Sequence, residues 1–179
     1  RYGYATDGRV FFLTNPVALG KYVETNGESL VRGLENFMRD AQAKNIRIVD
    51  EDAFKVGTDL AITPGRVVFR NRLVELLHYT PTTAKVHRTP IVIITPWINK
   101  FYVLDLTPRR SMVKYLTDQG YSVFITSWKN PTADLAQVNF DNYLLEGVDQ
   151  VVDVARKLSK SAQVHLTGYC IGGTLVATY

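Results

Sequence analysis

Residues 164–173 of the chain read VHLTGYCIGG. An apolar, strand-like run from Val164 to Thr167 leads into Gly168, and Cys170 stands between that glycine and Gly172. In the G-x-S-x-G arrangement, a strained turn between a strand and a helix lifts one nucleophilic side chain above a sheet, and small flanking residues let the backbone close around it. The stretch therefore predicts a nucleophile elbow in which cysteine takes the place of serine.

The elbow hypothesis gives a chemical role to each residue of the turn. Cys170 is the candidate nucleophile, and the main-chain N–H of Ile171 is a candidate donor in an oxyanion hole. The amino end of the following helix adds partial positive charge, which favours a thiolate. A single cysteine is more often a small buried hydrophobic residue than a catalyst. The prediction therefore depends on its context, chiefly the glycines at 168, 172 and 173.

The composition is that of an ordinary soluble protein, with 46% hydrophobic and 21% charged residues. One cysteine in 179 residues excludes an internal disulfide framework and suits a reducing cytoplasm. No apolar run reaches the roughly 18 residues of a transmembrane segment. Residues 1–9 lack the apolar stretch of a signal peptide, although a chain that begins mid-sequence could have lost its leader. The net charge of +4 is small and scattered, so we expect no nucleic-acid partner.

Residues 1–50 are expected to form a helical lead-in. Asn15-Pro16 is a plausible helix start, an N-cap followed by a first-turn proline. Gly27 and two further glycines weaken a continuous helix, so two shorter helices are as plausible as one. Six apolar residues share one helical face: Leu30, Val31, Leu34, Phe37, Met38 and Ala41. The simplest interpretation of this stripe is core packing, and an exposed stripe is expected to bind a partner or an apolar surface.

Residues 51–179 alternate between strand-like and helix-like patterns. The predicted elements are a hairpin at 66–79, a buried strand at 90–95, a helix opened by Thr107-Pro108 and closed by Gly120, a strand at 121–126, a long helix at 140–159 and the strand at 164–167. This order opens an α/β-hydrolase fold, in which the nucleophile follows the fifth strand. We therefore predict the N-terminal part of such a domain, truncated after the elbow.

A second oxyanion donor is expected from the loop after the third strand of that fold, which here spans residues 95–100 and contains Trp97. The alternative is a simple connector whose Trp97 and Phe101 cover the end of the sheet. The residues leave these two interpretations equally open.

Several motifs together resemble one enzyme family. They are FKVG at 54–57, AITPG at 61–65, PWINKFYVLDL at 96–106, SWKNP at 127–131 and GYCIGGT at 168–174. From about Tyr2 to the last residue, the chain resembles polyhydroxyalkanoate synthases, most closely the class that uses a single subunit type on short-chain 3-hydroxyacyl-CoA. One departure is Thr95, where the family usually has proline.

The resemblance implies an acyltransferase that polymerises (R)-3-hydroxyacyl-CoA, here 3-hydroxybutyryl-CoA, and releases CoA through a covalent cysteine thioester. It implies a bacterial cytoplasmic enzyme at the surface of polyester granules, a homodimer when full length, with no metal and no cofactor beyond the CoA that the substrate carries. By the same resemblance, Cys170 matches the family nucleophile, while Ile171 and Trp97 match the residues whose N–H groups bind the oxyanion.

The base and its orienting acid are expected beyond Tyr179, because the α/β-hydrolase chain order is nucleophile, acid, histidine. The histidines at 78, 87 and 165 come too early, and we expect surface or sheet roles for them. Asp105 and Asp153 are likewise expected in a turn and on a helix surface. The chain then corresponds to an internal fragment that has no turnover by itself.

Two other functions fit the same residues. A cysteine-dependent α/β-hydrolase of the dienelactone hydrolase type also carries cysteine in this elbow and would hydrolyse a small ester or lactone. A non-catalytic binding module that kept the fold is the third hypothesis. Thiol reactivity toward an acyl-CoA analogue separates the binding module from both enzymes, and a large cap insertion after Tyr179 favours the synthase over the hydrolase.

Overall fold

The computed structural model describes residues 15–44, 46, 50 and 52–179. The chain forms two compact units, Arg1–Ala53 and Phe54–Tyr179. As folding domains, the parts 1–50 and 51–179 stay a prediction. The opening at 1–9, where a signal peptide was judged absent, lies outside the described residues.

The first unit contains two helices, α1 at Pro16–Glu24 and α2 at Glu28–Ala43. Asn15 caps α1 as predicted, because its side chain accepts hydrogen bonds from the main-chain N–H groups of Val17 and Ala18. Gly27 separates the helices with φ of 86°, a conformation that glycine adopts without steric cost.

The apolar stripe of α2 does not pack in a core among the described residues. Neither helix of the first unit contains a buried residue. The side chains of the stripe are exposed, from 45% at Leu30 to 63% at Phe37. The expected core packing is therefore not seen among the described residues of this unit, which place no second apolar layer over the stripe. No described helix combines the length and apolar character needed to cross a membrane.

The second unit is built on a five-stranded sheet. Its strands are β1 at Gly65–Arg70, β2 at Val74–Tyr79, β3 at Ile91–Ile94, β6 at Val123–Trp128 and β7 at His165–Gly168. Their order in the sheet is β1-β2-β6-β3-β7. The pairs β1/β2 and β2/β6 are antiparallel, whereas β6, β3 and β7 run parallel. Two short strands, β4 at Asp105–Thr107 and β5 at Arg110–Ser111, form a separate hairpin.

Alternating side chains of the strands fill two apolar layers, one on each face of the sheet. Val92 and Phe124 belong to one layer, and their neighbours Ile93 and Val123 belong to the other. This division follows from the strand period of two, which sends successive side chains to opposite faces. The continuous apolar run of β3 is explained by burial on both faces, as predicted.

Helices cover both faces of the sheet. Helix α3 at Met112–Asp118 packs with the layer that contains Ile93. The other face is covered by a continuous helical segment made of α4 at Phe140–Asn142, a π-helical stretch at Tyr143–Asp149 and α5 at Gln150–Ser159, together with α6 at Ile171–Thr178. The alternation of strands and helices expected after residue 51 is thus present.

Two elements have boundaries that differ from the prediction by more than one residue. Helix α3 begins at Met112 and not at Thr107-Pro108, because residues 105–107 pair with residues 110–111 in the small hairpin. The side chain of Ser111 then caps the helix by accepting a hydrogen bond from the N–H of Lys114 at 2.8 Å. Strand β6 lies two residues later than predicted and continues to Trp128.

The long helix predicted at 140–159 is interrupted by the π-helical stretch. The indole ring of Trp128 lies against Gly147, where a Cβ atom would be 2.6 Å from Cη2 of that ring. Only glycine leaves room for the indole there, and the helix locally departs from α geometry at this contact. The π-helical stretch coincides with this contact between distant residues, which the apolar periodicity of the sequence does not record.

Candidate active site

The carboxyl ends of the parallel strands β3, β6 and β7 meet at one edge of the sheet. The loop that contains Trp97 follows β3, and the turn that contains Cys170 follows β7. A hydrogen bond joins the two connections, since the N–H of Tyr169 donates to the carbonyl oxygen of Ile94 at 3.1 Å. The structure therefore brings the two predicted parts of the site to the same edge.

Cys170 occupies a sharp turn between β7 and α6. Its backbone has φ of 54° and ψ of −128°, and α6 begins at the next residue, Ile171. A positive φ is strained for a residue with a Cβ atom, and such strain is typical of functional turns. The cysteine is exposed. This is the strand, turn and helix geometry that the elbow hypothesis predicts, and a structural cysteine packed among apolar side chains would look different.

The flanking glycines are required by close backbone contacts. A Cβ atom on Gly168 would lie 2.4 Å from the carbonyl oxygen of Gly172, and a Cβ atom on Gly172 would lie 2.2 Å from the carbonyl oxygen of Ile94. Neither obstacle is a flexible side chain, so it cannot move aside. The two glycines thus let the turn close on itself and against β3.

Several main-chain N–H groups at this edge have no hydrogen-bond acceptor among the residues that the structure describes, including those of Ile98, Asn99 and Cys170. Two of this group match the predicted donors, those of Ile171, the first residue of α6, and of Trp97 in the loop after β3. By contrast, the N–H groups of Gly172 and Gly173 donate to carbonyl oxygens of the turn itself. Unpaired N–H groups beside a nucleophile are what an oxyanion hole needs. Their assignment to that role stays a prediction.

Trp97 is half-buried in a cluster of three aromatic rings. Its ring centroid lies 4.7 Å from that of Tyr143 and 6.3 Å from that of Trp128. The loop therefore covers the end of the sheet, as the connector interpretation expects, while it also leaves the Trp97 N–H unpaired. Sequence reasoning did not assign Tyr143 and Trp128 to the site. Tyr143 was assigned only to the apolar inner face of the helix predicted at 140–159, and Trp128 appeared only inside the SWKNP motif.

The three histidines lie away from Cys170, at the amino edge of the parallel strands. His165 opens β7 and pairs in register with Ile91, the first residue of β3. The ring of His87 packs on Tyr121, just before β6. Because β7 has four residues at about 3.3 Å each, the length of this strand separates His165 from the elbow. The sheet role expected for His165 agrees with this position.

His78 has a structural environment of its own in β2. Its ring stacks on Phe124 with centroids 4.2 Å apart, and its Nε2 lies 2.9 Å from the Ser122 hydroxyl. Burial is the main cause that lowers the pKa of His78, and the positive charge of Arg66 acts in the same direction. The imidazole is thus held neutral in the sheet, in agreement with the expected sheet role.

The expectation for Asp105 was wrong, and that for Asp153 was right. Asp105 begins β4 and is only 1% exposed. Its carboxylate accepts hydrogen bonds from the hydroxyls of Thr63 at 2.5 Å and Ser111 at 2.6 Å. Of the two polar partners that allow this burial, Thr63 is 42 positions away along the chain and Ser111 is only six positions away, across the β4/β5 hairpin. Asp153 is exposed on α5 and forms an ion pair with Lys157 at 2.6 Å.

Comparison with known proteins identifies the family. Residues 7–116 match the family described as poly-beta-hydroxybutyrate polymerase (PhaC) N-terminus. The chain is 42% identical over 168 residues to the poly(3-hydroxyalkanoate) polymerase subunit PhaC of Cupriavidus necator. The aligned residues cover 94% of this chain and 28% of that protein. It is 41% identical over 171 residues to the poly(3-hydroxyalkanoate) polymerase of Methylorubrum extorquens, with 93% of this chain and 28% of that protein covered.

A further relative is the poly(3-hydroxyalkanoate) polymerase 2 of Ectopseudomonas oleovorans, at 38% identity over 92% of this chain and 30% of that protein. The chain thus spans less than a third of the length of these curated relatives. The match nevertheless runs through both units of the structure. The chain belongs to the poly-beta-hydroxybutyrate polymerase (PhaC) family and corresponds to its N-terminal region.

Proposed function

We propose that this chain forms part of a polyhydroxyalkanoate synthase, an acyltransferase that polymerises (R)-3-hydroxyacyl groups from their CoA thioesters, with 3-hydroxybutyryl-CoA as the substrate. Cys170 is the nucleophile that carries the acyl group as a thioester. The observation that carries this proposal is the turn at Cys170, with φ of 54° between two glycines that have no room for a Cβ atom. Membership of the polymerase family supports the same reaction.

The topology supports an α/β-hydrolase fold for the second unit. At one edge of the sheet, β1 and β2 pair in antiparallel fashion, and β2 is also antiparallel to β6. The next three strands, β6, β3 and β7, are parallel, and the nucleophile follows β7, which is the last of the five main strands along the chain. Crossovers from β3 to β6 and from β6 to β7 each contain a helix. These are the features that open an α/β-hydrolase domain.

In the proposed reaction, the thiolate of Cys170 attacks the thioester carbonyl of the substrate. The carbonyl oxygen becomes negatively charged in the tetrahedral intermediate, and the N–H groups of Ile171 and Trp97 stabilise it. The C–S bond to CoA then breaks, and the CoA sulfur leaves with a proton that the general base took from Cys170. The products of this half-reaction are free CoA and an acyl-cysteine thioester.

The second half-reaction lengthens the polymer. The 3-hydroxyl of one acyl unit attacks the thioester carbonyl of another, the same base accepts the hydroxyl proton, and an ester bond forms as the sulfur leaves. Cysteine suits this step, because a thioester keeps the acyl group activated for the next attack. The base and the acid that orients it are assigned to chain beyond Tyr179, since the described histidines lie at the opposite edge of the sheet.

Further properties follow from the proposed function. The full-length enzyme acts as a homodimer in the bacterial cytoplasm at the surface of polyester granules. Its partners are the acyl-CoA substrate and the growing polyester chain. It needs no cofactor, because the CoA group arrives on the substrate.

The proposal is tested by trapping the acyl-enzyme in a full-length polymerase that carries this sequence. After brief reaction with (R)-3-hydroxybutyryl-CoA, mass spectrometry of the peptide that contains Cys170 should show the added acyl mass. Cys170→Ala should lose both the adduct and polymer synthesis, whereas the exposed Tyr169→Phe is the control and should keep both. Polymer formation by Cys170→Ala would refute the assignment.

The same experiment separates the other hypotheses. A hydrolase of the dienelactone type forms the adduct but releases free 3-hydroxybutyrate in place of polymer. A binding module gives neither adduct nor product. Either of these results would contradict the synthase proposal.

A further inference from the structure

Thr95 is joined to Thr126 of the neighbouring strand by several hydrogen bonds. The N–H of Thr95 donates to Oγ1 of Thr126 at 2.9 Å, and Oγ1 of Thr95 donates to the carbonyl oxygen of Thr126 at 2.7 Å. The two hydroxyl oxygens are 3.0 Å apart. Both residues are essentially fully buried, at 1% and 0% exposure. The Thr126 hydroxyl can donate either to Oγ1 of Thr95 or to the carbonyl oxygen of Ile93 at 3.4 Å. Each hydroxyl therefore has a partner to donate to and one to accept from, and these bonds are strong away from water.

The carbonyl group of Thr95 is held from the same strand. The indole N–H of Trp128 donates to the Thr95 carbonyl oxygen at 2.6 Å. The N–H, the side chain and the carbonyl of Thr95 are thus all bonded to residues of β6. We call Thr95, Thr126 and Trp128 the β6 clamp.

Thr95 lies two residues before Trp97, whose N–H is the proposed oxyanion donor. The backbone between the two residues has little rotational freedom. The peptide bond between Thr95 and Pro96 is planar, so the fixed carbonyl also fixes the plane of the next nitrogen. The ring of Pro96 then restricts φ to about −65°. Only ψ of Pro96 remains as a soft torsion between the clamped carbonyl and the N–H of Trp97.

The ring of Trp97 is held in place as well. Trp97 packs on Tyr143 and on Trp128, and Trp128 is itself a member of the clamp. The residue that carries the N–H is therefore held both by the clamped carbonyl before it and by the packing of its own side chain.

We infer that Thr95 is a positioning residue that aims the N–H of Trp97 at the developing oxyanion. The inference rests on the proposed function, in which that N–H stabilises the tetrahedral intermediate.

The test is the kinetics of CoA release from (R)-3-hydroxybutyryl-CoA by the full-length polymerase that carries this sequence. Thr95→Val keeps the shape of the side chain but removes the hydroxyl. We expect kcat to fall about 10- to 100-fold, somewhat less than the loss of an oxyanion donor outright. KM should stay within about twofold, because the interaction is made in the transition state and not in the ground state.

Three further variants address the same two hydroxyls: Thr95→Ser, Thr126→Val, and the double variant Thr95→Val/Thr126→Val. Thr95→Ser keeps the hydroxyl and should restore kcat to within about threefold of the parent enzyme. The double variant Thr95→Val/Thr126→Val should have a kcat close to that of either single variant, because both substitutions break the same set of hydrogen bonds.

The matched control is Thr117→Val in α3. Thr117 is equally buried, at 0% exposure, and its hydroxyl donates to the Lys114 carbonyl oxygen at 2.9 Å, remote from the carboxyl edge. We expect a comparable loss of thermal stability and an unchanged kcat. If Thr95→Val does not fold, Trp128→Phe replaces it, since phenylalanine keeps an aromatic ring but cannot donate to Thr95. For Trp128→Phe too, we expect kcat to fall about 10- to 100-fold and KM to stay within about twofold.

Different results overturn the two proposals. An unchanged kcat in folded Thr95→Val and Trp128→Phe, in an enzyme that Cys170→Ala inactivates, would refute the positioning role and leave the nucleophile in place. A kcat loss of the same size in Thr117→Val would also refute it, because the effect would then be one of general stability. Activity in Cys170→Ala would refute the proposed function itself.

Discussion

Gly172 lies so close to Ile94 that a Cβ atom on Gly172 would be 2.2 Å from the Ile94 carbonyl oxygen. The same oxygen accepts the hydrogen bond from the N–H of Tyr169 at 3.1 Å. The turn after β7 is thus held against the end of β3 from both sides of Cys170. This contact fixes where the thiol stands relative to the loop that contains Trp97.

We expect Gly172→Ala to destabilise the protein and to weaken acylation of Cys170. The added methyl group meets backbone that cannot yield without moving β3, and overpacking of this kind costs about 1–3 kcal/mol. Urea unfolding and the acyl-enzyme mass measurement check the two effects. Gly33→Ala in α2 is the control, because a Cβ atom there meets nothing within 4 Å. Alanine is also the better helix former, so this variant should be as stable as the parent or slightly more so. Parent-like stability and acylation in Gly172→Ala would contradict the elbow geometry.

The 179-residue chain by itself should show no turnover of 3-hydroxybutyryl-CoA. No histidine among the described residues lies beside Cys170, and an active site that lacks its base and orienting acid loses activity by several orders of magnitude. CoA release, followed with a thiol reagent under conditions that spare Cys170, provides the measurement. A rate comparable to that of a full-length polymerase would show that the base lies within residues 1–179.

Stability should fall as the pH drops below about 6.5 because of His78. Burial lowers the pKa of His78 from its ordinary value of 6.5, so the unfolded chain takes up a proton at a pH where the folded chain does not. More protons bound by the unfolded state mean that stability rises with pH across this window. His78→Phe, which can keep the stacking on Phe124, should flatten the dependence in urea unfolding between about pH 5 and 7. His165→Gln, which replaces an exposed histidine, is the control, and its profile is compared with that of the parent. If the free energy of unfolding of His78→Phe depends on pH as that of the parent does, His78 is not the cause of the dependence.

Asp105→Ala should destabilise the second unit strongly. The hydroxyls of Thr63 and Ser111 would lose their acceptor in a buried site, at about 1–3 kcal/mol for each group left unsatisfied. Asp153→Ala is the matched control on the surface of α5, where loss of the ion pair with Lys157 should cost less than about 0.5 kcal/mol. Urea denaturation compares the two variants. Equal free energies of unfolding for Asp105→Ala and Asp153→Ala would mean that the buried carboxylate of Asp105 contributes nothing to stability.

Local features of the fold were predictable because they depend on neighbours along the chain. The helix start at Asn15 and Pro16 follows from capping and from the fixed φ of proline. The turn at Cys170 follows from the spacing of Gly168 and Gly172 around it. Burial of β3 follows from its unbroken apolar run.

Features that join distant residues were not predictable in the same way. The start of α3 at Met112 was missed because a hairpin at 105–111 competes with helix for these residues. Burial of Asp105 was missed because its partner Thr63 is 42 positions away. The exposed stripe of α2 was assigned to a core because amphipathic periodicity records one apolar face but not what covers it.

The sequence by itself thus determined the kind of elements, their order and the position of the candidate nucleophile. These depend on backbone preferences and side-chain periodicity within a few residues. Only the tertiary structure decided the strand order β1-β2-β6-β3-β7, the π-helical stretch over which Trp128 packs on Gly147, and the bonding of Thr95 to Thr126. Thr95 and Thr126 are 31 residues apart, and their hydrogen bonds exist only because β3 and β6 became neighbours in the sheet. Which strands pair is settled by the burial of both faces of the whole sheet at once, a property that no local stretch of sequence contains.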